Sequence, residues 1–565
     1  MNWLQRLITT LCIAIATTVQ PIYPQSDNDG FPAGEVTEYK FSASEIYPGT
    51  ERTFWLYIPA AYTGQTEACL YIALDEIPYG DTATLDRLIS AGEIPVMIGV
   101  FVASGTVFDD KGVVRFNRSN EFDTRSDAFA RFLETELLPY VETLTAKDGR
   151  PIKLSKDPND RMIHGNSSGA ICAFTAAWTR PDLFRRVYSA IGTYVWMRGG
   201  NEYPAMIRKN EPKPIRIFLQ DTYDDVWNPL FGSWFEANVL MESALRFAGY
   251  DMKHEWGEGA HDGVHASRIF PDVLRWLWRD WPDPVEKGIS QNDMLAAILN
   301  PASEWVCVGE GTGTLFSDRS GRVWLMSHDG LRSISDDRIT NVRESRIRSD
   351  DKVMAALNGV LYGTDIRGRL IKWENDGRKN IGGKLDGIVS VAVHNDGAIH
   401  AMSRDGEIWL VDADGSSTLV GKQDNPGECI SLFPDGRMLA VTEKNSHWIS
   451  NCIIGRDGLL RDSQRWYWLH NSSNRESEPV GNMMFDIAGN LYVATMDGVQ
   501  VCDHNGRVRA ILSPPGGGVV SLCFGGQGLS MLYVVSGGVI YKREMKSKGF
   551  SNGDEPHEVP RQGAG

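Results

Sequence analysis

Two textures of apolar and polar positions divide the chain. From about residue 37 to 282, short apolar runs rich in β-branched and aromatic residues ("TFWLYIP", "CLYIAL", "PVMIGVFV", "RMIH", "PIRIFLQ") alternate with longer stretches. In those stretches, "SDAFARFLETELLPYVETL", "SGAICAFTAAW" and "SWFEANVLMESALRFAG", the apolar residues recur at helical spacing. Strand and helix in alternation predict a parallel sheet covered by helices on both faces. After "RDWPDPVEKG" the pattern becomes an Asp/Asn-Gly turn followed by a two-residue alternation: "DRSGRVWLMS", "DIRGRLIKW", "HNDGAIHAMS", "FPDGRMLAVT", "DIAGNLYVAT" and "DHNGRVRAIL". Each unit is a tight turn plus a half-buried strand. Recurrence at roughly 30 to 50 residues predicts an all-β, six-bladed β-propeller over 296–546, with a pair of β-sandwiches as the structural alternative. Residues 547–565, "SKGFSNGDEPHEVPRQGAG", are polar and rich in Gly and Pro, and predict a disordered tail.

A length of 565 residues is more than one hydrophobic core organises, which agrees with two domains. The formal net charge of -16 gives no basic footprint, so nucleic acid is not an expected partner. At the N-terminus Arg6 precedes an apolar run from Leu7 to Val19 that carries the small-x-small pattern Ala14-Ile15-Ala16. This predicts a signal peptide over 1–25 and a secreted or periplasmic protein. The run is shorter than the ~20 apolar residues a spanning helix needs, and no integral membrane segment is expected after the leader. Cys69, Cys172, Cys307, Cys429, Cys452, Cys502 and Cys523 are scattered and mostly embedded in strand-like runs; they read as small buried hydrophobes rather than a disulfide or metal framework.

Candidate chemistry concentrates around "RMIHGNSSGAICAFTAAW", where a strand, a Gly-x-Ser-x-Gly corner and a helix follow one another. That order is the geometry of a nucleophile elbow. Gly165 and Gly169 leave room for a strained turn, Ser167 stands at the sheet's carboxyl edge, and the Ser168 N–H at the helix start faces a developing oxyanion. A serine hydroxyl needs a base, and the base an orienting carboxylate, in the chain order Ser, Asp/Glu, His. After "PIRIFLQ", the loop "DTYDDVWN" offers Asp221, Asp224 and Asp225 as competing acids. Of three later histidines, His254 falls within a predicted strand, His261 follows a Gly-rich turn and is free to reach Ser167, and His265 opens the last helix. A zinc pair of His261 and His265 is disfavoured by Gly263 and the lack of a third ligand.

On these residues, the stretch from Tyr39 to Trp281 resembles the esterases of the enterochelin-esterase and feruloyl/acetyl-xylan-esterase group, within the α/β-hydrolase superfamily. The matching pieces are "ERTFWLYIPAAY", "LYIALDE", "FNRSNEFD" with "FLETELLPYVE", "HGNSSGAICAFTAAWTRPDLFRRVYSAIG" and "GEGAHDGVH". The resemblance implies an α/β-hydrolase domain over 37–282, with Ser167 as nucleophile, His261 as base and Asp225 as acid. It implies Glu76, after Asp75, as the second oxyanion N–H, and Arg118 and Glu121 as either substrate-pocket residues or a structural ion pair. Ala260 replaces a glycine before the histidine, and no glycine follows Asp75.

The region from Trp305 to Lys546 resembles the SMP-30/gluconolactonase/LRE-like propellers, clearest in "SLFPDGRMLAVTEKNSHWISNCII", "MMFDIAGNLYVATMDGVQVCDHNGRV" and "SLCFGGQGLSMLYVVSGGVIYK". Lactonases of that family hold a divalent cation at the axis with a Glu, two Asn and an Asp. Here Gly313, Val389, Glu428 and Gly481 fall at those positions, with Asn482, Glu310 and Asp318 nearby. A hard cation needs oxygen ligands, so the resemblance implies a propeller that has lost its catalysis and binds ligand or serves as structure. The expected whole is an exported serine carboxylic-ester hydrolase with no cofactor, acting on a small-molecule or polysaccharide ester such as an acylated carbohydrate. A metal-dependent sugar lactonase centred on the propeller and a non-catalytic carbohydrate- or surface-binding protein are the alternatives.

Overall fold

The computed structural model describes residues 30–78, 80–335, 337–342, 347–375, 377–470 and 480–559; the leader expected at 1–25 lies outside them. The chain forms two compact units, one holding residues up to 195 with 214–238 and 252–286, the other 196–213 and 239–251 with everything from 287 onward. Two short stretches expected in the first domain thus cluster with the second. Inside that second unit Asn210 bridges Ile511, Glu211 pairs with Arg543 at 2.6 Å, and the Asn292 amide donates to the carbonyls of Arg208 and Arg509.

The first unit is built on an eight-stranded mixed sheet. Its strands are β1 Glu35–Phe41, β2 Arg52–Ile58, β3 Cys69–Leu74, β4 Met97–Val102, β7 Arg161–Asn166, β8 Arg186–Ala190, β9 Arg216–Thr222 and β12 Asp251–Gly257. Between them in sequence lie two small hairpins, β5 Thr106–Asp109 with β6 Gly112–Phe116, and β10 Trp227–Asn228 with β11 Gly232–Ser233. The sheet order is β1-β2-β4-β3-β7-β8-β9-β12. β1, β2 and β4 pair antiparallel, and β4 through β9 pair parallel. β3, β4, β8 and β9 are buried along their whole length, which is why β3 and β4 read as continuous apolar runs rather than as alternation. Helices Asp81–Ser90, Ser168–Thr179 and Val264–Leu277 are among the cover. The core between sheet and helices includes Tyr71, Met97, Phe101, Tyr188, Phe218, Phe270 and Leu274.

The second unit contains six four-stranded antiparallel sheets. Their innermost strands, Thr314–Ser317, Lys352–Leu357, Ile388–Val393, Pro426–Leu432, Met483–Phe485 and Val519–Gly525, neighbour one another in a closed ring, so this is a six-bladed propeller. One blade is composite: its outer strand Val306–Glu310 pairs with Val539–Glu544, which comes from the far end of the domain. The Asp-x-x-Gly turns have a physical basis visible at Asp318, Asp365, Asp486 and Asp503. Each carboxylate accepts from backbone N–H groups two and four residues on, and the glycine three residues on takes a left-handed φ of 73 to 84°.

The tail expected to be disordered is ordered through residue 559. Phe550 is buried, its N–H donates to Phe485 O, Gly549 N donates to Leu529 O, and His557 N donates to Pro434 O. Polar, Gly-rich composition concealed it, because its order comes from Phe550 and from hydrogen bonds to distant strands and loops, such as Leu432 N to Asn552 Oδ1 and Tyr492 with Ser547. All seven described cysteines are free, and all but the exposed Cys307 and the half-buried Cys429 are buried.

Candidate active site

Ser167 sits between the end of β7 and the first residue of the helix Ser168–Thr179, with φ 56° and ψ -118°. A non-glycine residue with that backbone costs of order 1–3 kcal/mol, held by its surroundings. Here its N–H donates to Ala190 O at 3.0 Å and its carbonyl accepts from Thr193 N at 3.2 Å. Gly165 is obligatory, since a Cβ there would lie 2.1 Å from the backbone C and O of Gly169. The corner is an elbow, as the Gly-x-Ser-x-Gly spacing predicts.

From the end of β9 the chain turns back through a bond from Asp225 N to Thr222 O. It thereby delivers Asp225, rather than Asp224, to His261: Asp225 Oδ1 lies 2.5 Å from His261 Nδ1, and His261 Nε2 lies 2.9 Å from Ser167 Oγ. Asp224 is exposed. The Asp225 carboxyl is held below the ordinary range: burial alone would raise it, and hydrogen bonds from His261 and Asp221 outweigh that effect. Thr193, which the sequence reading did not single out, completes the chain of donors. Its Oγ1 lies 3.2 Å from Ser167 Oγ and 3.1 Å from Trp234 Nε1. An indole N–H can only donate, so Thr193 accepts from Trp234 and has its own proton free for Ser167 Oγ. The Ser167 proton is then left to His261 Nε2, and His261 Nδ1–H to Asp225. Every proton in the series points one way, and the serine hydroxyl is set to give its proton to the imidazole.

The loop expected to carry the second oxyanion N–H is shaped by Asp75, which itself adopts the left-handed φ of 80° that a glycine would have supplied. Arg118 holds it there, with Nε and Nη2 each 2.8 Å from one Asp75 oxygen and Nη2 3.5 Å from Asn166 O. Arg118 therefore ties the segment carrying the Glu76 N–H to the elbow carrying Ser168. Glu121 is buried in the fold rather than open to a substrate. Its side chain is fully buried and bound to Arg52 at 2.7 Å, and it also accepts from Gly105 N and Asn117 Nδ2. Nor does it pair with Arg118. The buried Arg52 guanidinium claims the carboxylate, because a charge without water needs a partner.

The other two histidines serve the fold. His254 stacks on Trp256 within β12, and His265 is buried with Nδ1 3.0 Å from Gln220 Nε2. A Cβ on Gly257 would lie 2.2 Å from the His265 ring, which fixes that ring against β12 and away from His261 as a co-ligand.

In the propeller, a cavity of about 250 Å³ follows the axis, lined by Lys352, Val389, Ser390, Glu428, Gly481 and Asn482, with Phe550 to Gly553 among its wall. The donor set does not fit a hard divalent cation. Gly313, Val389 and Gly481 offer no side-chain oxygen. Asn482, the nearest substitute, is spent: its Oδ1 accepts from Leu522 N at 2.7 Å and its Nδ2 donates to the carbonyls of Leu315 and Leu522. Among the described residues no group of three or more His, Cys, Asp or Glu side chains could hold a metal ion.

Comparison with known proteins matches the two parts of the chain to two different families. Residues 45–230 match the Esterase family model, described as "Putative esterase", and residues 375–538 match the SMP-30/gluconolactonase/LRE-like region. No curated protein matches the chain. Among solved structures, a ferulic acid esterase is 18% identical over 44% of this chain and 99% of its own, with a TM-score of 0.35. A gluconolactonase from Xanthomonas campestris is 16% identical over 45% of this chain and 93% of its own, at 0.39. The enterobactin esterase of Shigella flexneri is 18% identical over 46% of this chain and 64% of its own, at 0.34. The chain thus joins an esterase-like N-terminal domain to a gluconolactonase-like six-bladed propeller, an assembly that supports hydrolase activity.

Proposed function

We propose that this protein is a serine carboxylic-ester hydrolase acting on an acylated carbohydrate or a related natural ester. The observation that carries the reading is the unbroken series Asp225–His261–Ser167, at 2.5 and 2.9 Å, ending on a strained elbow. In this mechanism Ser167 Oγ attacks the ester carbonyl as His261 Nε2 takes its proton. Asp225 holds the imidazole tautomer and stabilises the imidazolium, and the Ser168 and Glu76 N–H groups receive the oxyanion. His261 returns the proton to the leaving alcohol, and water repeats the sequence to release the acid.

Substrate class is supported by the exposed aromatics beside the acid. Tyr223 and Trp227 flank Asp225 within two residues and are 53% and 70% exposed, an arrangement suited to stacking on a sugar ring or packing an acyl chain. The propeller acts without metal, as a ligand-binding or structural module. On the apolar run at residues 7–19 alone, we place the protein in the periplasm or outside the cell. Hydrolysis of p-nitrophenyl acetate tests the chemistry: activity is lost in Ser167→Ala and His261→Ala and indifferent to a chelator. Retention in Ser167→Ala with loss on chelation would move the activity to a metal lactonase.

A further inference from the structure

The mechanism uses only one oxygen of Asp225. The other, Oδ2, is buried with no N–H or neutral hydroxyl partner, and the same is true of Oδ2 of Asp221. Asp221 is completely buried near the end of β9, and the turn closed at Thr222 brings its carboxyl and that of Asp225 together, each with one oxygen out of water and without a donor. Two carboxyl groups can share a hydrogen bond only if one of them carries a proton.

The surroundings decide which. Asp225 Oδ1 accepts from His261 Nδ1 and from Val226 N, both at 2.5 Å, and both favour its charge. Asp221 has Thr222 N at 2.7 Å and, from the helix Trp234–Phe247, the neutral amide of Asn238. We propose that Asp221 is a positioning residue of this site: it remains a neutral carboxylic acid and donates its proton to Asp225 Oδ2, fixing the carboxylate that fixes His261. This rests on the serine-hydrolase reading.

The chemistry favours that assignment. A neutral donor steadies Asp225 without setting a second, repelling negative charge against it. Burial first, then the hydrogen bond and charge of Asp225, push the Asp221 carboxyl up to about 9. Below that pH it keeps its proton; above it, two adjacent carboxylates repel and the arrangement loosens.

The experiment is the second-order rate of Ser167 labelling by a fluorophosphonate between pH 5 and 10.5, in the full-length protein. Wild-type labelling falls at the alkaline end with an apparent ionisation near 9. Asp221→Asn keeps a donor that cannot ionise, so it labels within about fivefold of wild type at pH 7 and lacks the alkaline fall. Asp221→Leu removes the donor and labels about ten- to a hundredfold more slowly. An alkaline fall that persists in Asp221→Asn overturns the proposal, as does Asp221→Leu labelling at the wild-type rate. If Asp221→Leu does not fold, the Asp221→Asn profile decides alone. Failure of the wild type to label at Ser167 removes the hydrolase reading and this inference with it; normal wild-type labelling with either contrary result removes this inference only.

Discussion

Replacing Glu121 by Leu separates a structural role from a substrate-binding one. In the fold, Glu121 accepts from Arg52 Nη1 at 2.7 Å and Nη2 at 3.1 Å, from Gly105 N at 3.1 Å and from Asn117 Nδ2 at 3.3 Å, all out of water. Removing it strands the Arg52 guanidinium, whose remaining polar neighbour is Thr50 Oγ1 at 3.2 Å and whose face lies 4.1 Å from the Phe132 ring. Breaking one partner of a buried pair costs about 3–5 kcal/mol. For a unit of this size each kcal/mol is worth about 2–4 °C, so the melting transition of the first unit should fall by about 6–20 °C. Scanning calorimetry reads it, with the propeller transition as an internal control. The companion Arg52→Met/Glu121→Leu removes both charges and recovers most of the loss. A fall under about 2 °C, or a double variant no more stable than the single one, refutes the argument. A collapse of kcat with an intact transition would return Glu121 to the pocket.

Gly165→Ala drives a methyl into the Gly169 backbone; activity should drop at least about a hundredfold, or soluble protein should be lost, as seen by expression and ester hydrolysis. Thr193→Val leaves the Trp234 indole N–H unpaired and strips Ser167 of its donor, so kcat should fall about five- to tenfold with KM nearly unchanged in steady-state kinetics. Burial pushes the His400 imidazole in the propeller down to about 3, below its unfolded value of 6.5. The stability this contributes is complete above pH 6.5 and is lost as pH falls toward 3. His400→Asn should therefore flatten the urea-unfolding curve between pH 6.5 and 5 by about 1.4 kcal/mol per unit; parallel curves would contradict it.

How much of this was legible in the sequence depended on whether the cause was local. The elbow was, because strand, Gly-x-Ser-x-Gly and helix are consecutive and Gly165 is dictated by a backbone approach within five residues. The propeller was, because each Asp-x-x-Gly turn is closed by its own carboxylate. The residue pattern alone left Asp221, Asp224 and Asp225 open and only the family resemblance pointed to Asp225, because the choice depends on how one turn aims three neighbouring side chains. Thr193 left no motif, since its place comes from β8 returning beside β7. For Glu121 the structural ion-pair alternative holds, but its partner is Arg52, 69 residues upstream on β2, rather than the nearby Arg118. The ordered tail was missed because Gly and Pro composition is silent about Phe550.

The composite blade has a consequence for how the second unit is made. Its outermost ribbon is laid down first and its remaining three last, so nascent chain emerging from the ribosome carries an open arc until about Glu544 has appeared. A protein cut short before Val519 would expose bare edges at both ends of that arc, inviting a second molecule to join them. The clasp makes completion of the circle a checkpoint that only the nearly finished polypeptide passes.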